Sequence, residues 1–275
     1  MDWVVEKDFG AYADRVLPWL ERDPIRNTVP ATLTMLRREG SVPLDDEETW
    51  LAWLAGPAGD VSGAAVKFTA RGVTLSALPP GAGTVLAAAA EPGWLGVSGF
   101  TAESTEFARA YAAAAGATAR RTVTQHLYEL GELTPPGGVP GELVRAADDD
   151  VELCAQWYED FGAETGQPMH PDSIGSTRRL IGQGRHWLWW VDGTPVCMVG
   201  HNPAVAGATR IGPVWTPREH RRHGYAAAAT AAVSAELRPG RVLLYADDAD
   251  PTAVGVYTRV GFRPVGEWVN WRLEY

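Results

Sequence analysis

The sequence predicts an α/β (α+β) protein made of two similar domains, and three observations carry that reading. The chain has 275 residues, which exceeds one small module and makes two domains of about 135 residues each the natural expectation. A turn-rich seam, Leu133-Thr134-Pro135-Pro136-Gly137-Gly138-Val139-Pro140-Gly141, interrupts it almost at the midpoint. Proline fixes φ and withholds a donor while glycine resists any single conformation, so neither a helix nor a central strand runs through this stretch. Helix-like and strand-like segments then follow one another in a similar order on both sides, which suggests duplication of one unit. The expected division is a domain over 1–132, a linker over 133–141 and a second domain over 142–275.

In the first half, Asp8 to Leu20 and Thr28 to Arg38 carry apolar residues at helical spacing. Strand-like runs at Trp50–Leu54, Val61–Phe68 and Val73–Leu78 are separated by Gly and Pro. Ala-rich helices fit Thr84–Ala90 and Glu103–Ala115, and Thr122–Tyr128 alternates as a strand. The order reads helix, helix, three strands, helix, strand, helix, strand.

In the second half, Leu143–Arg145 reads as a short strand, and Asp148–Glu164 as a helix opened by acids that suit the positive end of its dipole. A second helix is expected over Pro171–Ile181. Strands Trp187–Val191 and Pro195–Gly200 flank Asp192-Gly193, a strong hairpin-turn pair. Ala208–Trp215 is the next strand, Gly224–Leu237 an Ala-rich helix, Arg241–Ala246 a buried strand, Pro251–Val260 a helix and Trp268–Leu273 the last strand.

Composition narrows the function classes. Lys and Arg number 24 against 34 Asp and Glu, a net charge of −10, which argues against a backbone-binding surface for nucleic acid. Hydrophobic residues at 45% and charged residues at 21% suit a globular protein rather than a disordered one. Cys154 and Cys197 form neither a disulfide framework nor a metal-type pair. The acidic start and the lack of any apolar run of membrane-spanning length lead to the expectation of a soluble, cytoplasmic protein.

One stretch carries the chemistry: Arg210-Ile211-Gly212-Pro213-Val214-Trp215-Thr216-Pro217-Arg218-Glu219-His220-Arg221-Arg222-His223-Gly224-Tyr225-Ala226. A strand ends at Thr216-Pro217, a short loop carries three arginines, and a long helix starts near Gly224. The first turn of a helix leaves N–H groups unpaired at its positive end, a natural site for phosphate. Gly224 lets an oxygen approach the backbone without meeting a Cβ, Ala226 keeps the next turn nearly as open, and Arg221 and Arg222 add charged donors. A solvated basic loop is the bland reading of three arginines. The Arg-x-x-Gly-x-Ala spacing at a strand-to-helix turn favours the phosphate.

These residues resemble the GNAT superfamily of acyl-CoA-dependent N-acetyltransferases, whose pyrophosphate loop reads Gln/Arg-x-x-Gly-x-Gly/Ala. Arg221-x-x-Gly224-x-Ala226 matches it. A second mark follows in Asp250-Pro251-Thr252-Ala253-Val254-Gly255-Val256-Tyr257 and Gly261-Phe262, similar to the family's Asn-Pro-x-Ser/Ala before a Tyr and a Gly-aromatic pair. The resemblance covers residues 142–275. It implies two GNAT-like domains, each a mixed, mostly antiparallel sheet flanked by helices, the first degenerate and non-catalytic. In that first half, Leu78-Pro79-Pro80-Gly81-Ala82-Gly83 stands where a phosphate loop is expected but lacks the Arg. A Gly-x-Gly alone is too weak to indicate a nucleotide site.

The resemblance implies acetyl-CoA as co-substrate, no metal, and a coenzyme site formed by Val214, Trp215, Thr216, Arg221, Arg222, His223, Gly224, Tyr225, Ala226, Asp250 and Tyr257. Backbone groups of Val214–Thr216 are expected to polarise the thioester carbonyl, and Tyr257 to act as general acid toward the sulfur. The base is open: Glu159, Glu164, His170 and a water chain are candidates, and Glu164 is taken as the catalytic one. Cys197, in an apolar strand, reads as inert core. Asp250 and Ala253 depart from the family's Asn and Ser. The expected reaction is direct transfer of acetyl to the primary amine of a small, cationic molecule by a monomer or homodimer, with no nucleic-acid or membrane partner. The alternative is a non-catalytic acyl-CoA-binding sensor. Trp157, Trp187, Trp189 and Trp190 fit either an aromatic pocket or, more simply, a core.

Overall fold

The computed structural model describes residues 1–41, 49–68, 72–166 and 172–275. The chain divides into two compact units: residues 1–127 with 265–275, and residues 128–264. Unit 1 begins with β1 (Asp2–Glu6), α1 (Phe9–Leu20), α2 (Thr28–Arg38), β2 (Trp50–Ala55), β3 (Val61–Lys67) and β4 (Val73–Leu75). It continues with α3 (Ala82–Ala89), β5 (Gly96–Phe100), α4 (Thr101–Ala115) and β6 (Thr118–Leu130), whose last three residues belong to unit 2. Unit 2 contains β7 (Glu142–Arg145), α5 (Val151–Thr165), α6 (Ser173–Gly182), β8 (His186–Val191), β9 (Thr194–His201) and β10 (Ala208–Trp215). It ends with α7 (Tyr225–Glu236), β11 (Arg241–Asp247), α8 (Pro251–Val260) and the first three residues of β12 (Phe262–Glu274).

The two halves thus repeat the same ten elements in the same order, strand–helix–helix–three strands–helix–strand–helix–strand. In unit 1 the strands lie in the order β1-β2-β3-β4-β5-β12-β6. All its registered pairs are antiparallel except β4 with β5, which run parallel over Val73↔Val97 and Thr74↔Ser98. In unit 2 the order is β11-β10-β9-β8-β7, antiparallel except for β10 with β11. Each parallel pair is bridged by an Ala-rich helix, α3 or α7, as a parallel crossover requires.

Burial follows residue type. In unit 1, Trp50, Leu75, Leu86, Phe107 and Tyr111 share a core with Leu273 from β12. In unit 2, one core joins Trp187, Trp189, Cys197 and Ile211 to the alanines of α7 and to Val260 and Phe262. A second holds Val151, Cys154, Trp157, Leu188, Met198 and Trp215. The tryptophans therefore take the core role, with Trp190 packed against the second cluster, and Trp189 Nε1 donates to Pro140 O at 2.9 Å. Both cysteines are free and buried.

The last strand departs from the expected division. Residues 265–275 belong to unit 1, where Trp268↔Phe100 through Arg272↔Gly96 pair β12 with β5. Sequence pattern marks a strand but carries no sign of its partner. The 131–141 stretch belongs to unit 2 and is tied down: Gly131 N donates to Gly261 O at 3.0 Å and Thr134 N to Val260 O at 2.9 Å. The strand expected over Val73–Leu78 ends at Leu75, because Ala77 N turns to the Asn27 side chain at 2.9 Å. The acids at 148–150 form a separate 3-10 turn before α5. The start of the helix expected at Pro171, and His170, lie outside the described residues. Among the described residues no helix is long and apolar enough to cross a membrane.

Candidate active site

The site is built where β10 leaves β11. The parallel register runs Ala208↔Arg241 to Ile211↔Leu244 and stops there, so Gly212–Trp215 have no registered partner on β11. On its other side β10 stays paired with β9, with a register shift between Ile211 and Val214. Pro213 has no N–H, and Gly212 takes φ +147°, so the bulge falls where an ordinary ladder is hardest to continue. The outer half of β10 therefore has one edge without a registered strand partner.

Beyond β10 the chain forms a 3-10 turn, Arg218–His220, and then enters α7. Arg222 takes φ +67° and Gly224 φ +86°, so two left-handed residues in three positions fold the loop over the helix end. No side chain caps α7 among the described residues. Its first-turn N–H groups, at the positive end of a 12-residue helix, are left for an external acceptor. Arg222 and His223 are exposed beside it, Tyr225 stacks on the His223 ring with centroids 5.3 Å apart, and Ala226 is half-buried. Arg222 makes no ion pair among the described residues.

Arg221 behaves differently from the sequence expectation. Its Nε donates to Thr216 O at 2.9 Å, its Nη1 lies 2.9 Å from Glu164 Oε1, and its Nη2 donates to Glu164 Oε2 at 3.1 Å. The guanidinium also lies 4.8 Å from the centroid of the Trp215 ring. Its contacts thus go to Thr216, just past β10, and to α5, whereas Arg222 makes no such contact among the described residues. Trp215 is buried and packs with Trp157 and Met198, so only its backbone is available to a ligand.

Glu164, expected as the catalytic carboxylate, is engaged by two arginines of the loop. Besides Arg221, it accepts from Arg218 Nη2 at 3.3 Å and Nε at 3.4 Å. The Arg221 hydrogen bond holds its carboxyl below the usual range against the opposing effect of burial, with Arg218 adding to the lowering. A carboxylate whose lone pairs face two guanidinium groups makes a poor proton acceptor. Glu159, the other carboxylate candidate, accepts from Ser173 Oγ at 2.6 Å and so joins α5 to α6.

Tyr257 sits on α8, with its ring 6.2 Å from Phe262 in an edge-on contact. Burial holds its phenol well above the ordinary range, and the Cys197 thiol and Asp250 carboxylate push the same way. Among the described residues its hydroxyl has no hydrogen-bond partner. The Cys197 thiol itself is pushed up to about 12 by burial, which keeps it protonated. Asp250 caps α8, accepting from Thr252 N and Ala253 N, each at 3.0 Å, ahead of Pro251 in the first turn. The Asp in place of the family's Asn thus serves as a helix cap, for which an acceptor is what is needed.

Residues outside the sequence reading also shape the region. Val139, from the seam, would lie 3.0 Å from a Cβ added at Gly224. His186 is buried with neither ring nitrogen hydrogen-bonded among the described residues, and burial, with His201 adding, lowers its pKa to about 4. In unit 1 the counterpart of the α7 entrance is already filled. Gly81, before α3, has φ +88°, close to that of Gly224. The Glu106 carboxylate there accepts from Gly81 N at 3.2 Å, Thr84 N at 2.9 Å and Thr84 Oγ1 at 2.9 Å. Glu106 is one of two Glu residues in an Ala-rich helix, which gave no sequence signal for this contact.

Comparison with known proteins agrees with this geometry. Residues 151–262 match the family model described as Acetyltransferase (GNAT) family. A GCN5-related N-acetyltransferase from Sphaerobacter thermophilus shares 18% identity and a TM-score of 0.61, over 99% of this chain and 95% of that one. A tandem GNAT protein from the clavulanic acid biosynthesis pathway shares 14% identity with a TM-score of 0.58, over 99% and 98%. A GCN5-related N-acetyltransferase from Kribbella flavida shares 20% identity with a TM-score of 0.54, over 89% and 95%. No protein with a curated description matches the chain. Residues 151–262 therefore form a domain of the GNAT acetyltransferase family, a family of acyl-CoA-dependent acetyl transfer, within a chain that has the tandem GNAT fold.

Proposed function

We propose that the protein is an acetyl-CoA-dependent N-acetyltransferase that acetylates the primary amine of a small, cationic acceptor by direct attack. The observation that carries the reading is the end of β10–β11 pairing at Ile211↔Leu244, ahead of an uncapped α7 opened by left-handed Gly224. This arrangement fits a diphosphate at the helix end and an extended arm along the free edge of β10. The net charge of −10 favours collection of cationic acceptors.

Bound acetyl-CoA would supply an acetyl group as a thioester. The N–H groups of the α7 first turn, Gly224 and Arg222 hold the diphosphate, and backbone N–H groups of the Val214–Thr216 edge donate to the carbonyl oxygen. One such donor is worth about 2.7–4 kcal/mol to the transition state. As the amine nitrogen attacks and the C–S bond breaks, the Tyr257 hydroxyl gives its proton to the departing sulfur, and burial keeps that proton in place at neutral pH. The amine's own proton leaves to water in this reading; Glu164 and Glu159 are engaged elsewhere, and His170 lies outside the described residues. Unit 1, with its helix entrance occupied by Glu106, has a structural role in this reading.

The sensor alternative rests on the replacements at Asp250 and Ala253 together with the lack of an obvious base; Asp250 meets the capping requirement. Thiol release measured with acetyl-CoA and a panel of polyamines, aminoglycosides and amino acids separates the two. Turnover with a cationic amine, cut by Tyr257→Phe, supports the enzyme. Coenzyme binding with no turnover for any amine, and no response to Tyr257→Phe, supports the sensor.

A further inference from the structure

We propose that Glu164 is a positioning residue that locks the phosphate loop through Arg221, and that it does not carry the reaction's proton; this rests on the coenzyme reading above. The carboxylate stands in the last turn of α5 and engages Arg221 at both oxygens, 2.9 and 3.1 Å, with Arg218 on Oε2 at 3.3 Å. Arg221 passes that hold to β10, since its Nε donates to Thr216 O at 2.9 Å. The guanidinium lies over Trp215, and Phe161, one turn before Glu164 on α5, meets the Trp215 ring edge-on at 6.3 Å. Three separate segments, the end of α5, the end of β10 and the loop into α7, are therefore joined at one cation.

The loop needs such a hold. Arg222 is a non-glycine residue in the left-handed region, which costs about 1–2 kcal/mol. A ligand held by backbone N–H groups also depends on their fixed direction, since hydrogen bonds weaken steeply when bent. The Arg221 guanidinium is held by Thr216 O, Glu164 and the Trp215 ring, so removing Glu164 loosens the loop. Only 35% of the Glu164 side chain surface is exposed, and 34% of that of Arg221. The pair is thus partly shielded from the screening that makes surface ion pairs weak.

The test is a double-mutant cycle with Glu164→Ala, Arg221→Ala and the double variant, read by coenzyme A affinity in calorimetry. Each single variant should bind about five- to tenfold more weakly and the double variant no more weakly than either, because coupled residues are not additive. Glu164→Asp should restore part of the affinity. In the coenzyme-free protein, amide exchange across residues 217–228 should quicken several-fold in Glu164→Ala, a readout that stands even if the ligand is misassigned. The acidic limb of the kcat/KM profile should survive in Glu164→Gln. Unchanged coenzyme affinity with a collapsed kcat and a lost acidic limb would make Glu164 the base and overturn the proposal. Fully additive losses, or unaltered exchange, would overturn it as well. Quickened exchange in Glu164→Ala, together with a wild-type protein that fails to bind coenzyme A, would leave the loop lock standing and remove the functional reading instead.

Discussion

Replacing Gly224 by valine tests the phosphate entrance most directly. The position has φ +86°, and an added Cβ would lie 3.0 Å from Val139 Cγ2. A β-branched residue held in that region costs about 1–3 kcal/mol. The Val139 contact can relax, since its partner is a side-chain end at the surface of the seam. The unliganded protein is therefore expected to stay folded, with a modestly lower unfolding midpoint. The larger effect falls on the ligand. Acetyl-CoA at about 100 times its Kd stabilises the native protein by roughly 2.7 kcal/mol. If the added methyl groups raise Kd a hundredfold, the same concentration yields only about 0.4 kcal/mol. Urea unfolding with and without acetyl-CoA, for wild type and Gly224→Val, measures the difference. A ligand shift of equal size in both proteins would refute the placement of the diphosphate at α7, and an unfolded variant would be replaced by Gly224→Ala in the same assay.

Further expectations concern other groups. Tyr257→Phe should lower kcat by about 100-fold or more, with coenzyme Kd unchanged by calorimetry; equal losses in both would make Tyr257 a packing element. Because burial raises its pKa, wild-type activity should show no decline from phenol ionisation up to about pH 10, the ordinary tyrosine value. His186 has a folded pKa of about 4, below the unfolded value, so the unfolded chain binds a proton that the native one refuses. Stability is then complete above about pH 6.5 and is lost as pH falls toward 4, by about 3 kcal/mol in total. His186→Phe should flatten that part of the stability profile, and an unchanged slope would assign it to other groups. Glu106→Ala should cost about 1 kcal/mol as a lost helix cap, and wild type should bind one coenzyme A per chain by calorimetry; two would reopen the α3 end as a site.

Local pattern made much of this protein legible from its residues. The helices Thr28–Arg38 and Pro251–Val260 and the strand Ala208–Trp215 coincide with the structure, because apolar spacing, Pro at a helix start and flanking breakers all act within a few residues. β1 has no counterpart in the sequence pattern, since acids flank its Trp3-Val4-Val5 centre, whereas the strand expected between the two Ala-rich helices is Gly96–Phe100, whose glycines hide its bounds. The loop from Arg221 to Ala226 is contiguous, so the sequence could show its turn at a strand-to-helix junction, with Gly224 ahead of α7. What its side chains touch was not visible: Glu164 and Arg221 are 57 positions apart, and nothing along the chain announces that α5 ends over that loop. The same holds for Glu106, 25 positions from Gly81.

The placement of residues 265–275 has a consequence for how the protein is made. During translation the first 127 residues leave the ribosome with the Gly96–Phe100 strand paired with Val73–Leu75 on one side and still lacking its second neighbour. That edge must wait through the synthesis of more than a hundred further residues before Trp268 to Arg272 arrive to close it. An open edge of this kind invites pairing with other nascent chains. It also means that cutting the gene at the Pro/Gly seam would strand the first half without its closing strand, so the halves are two units in space and one unit in biogenesis.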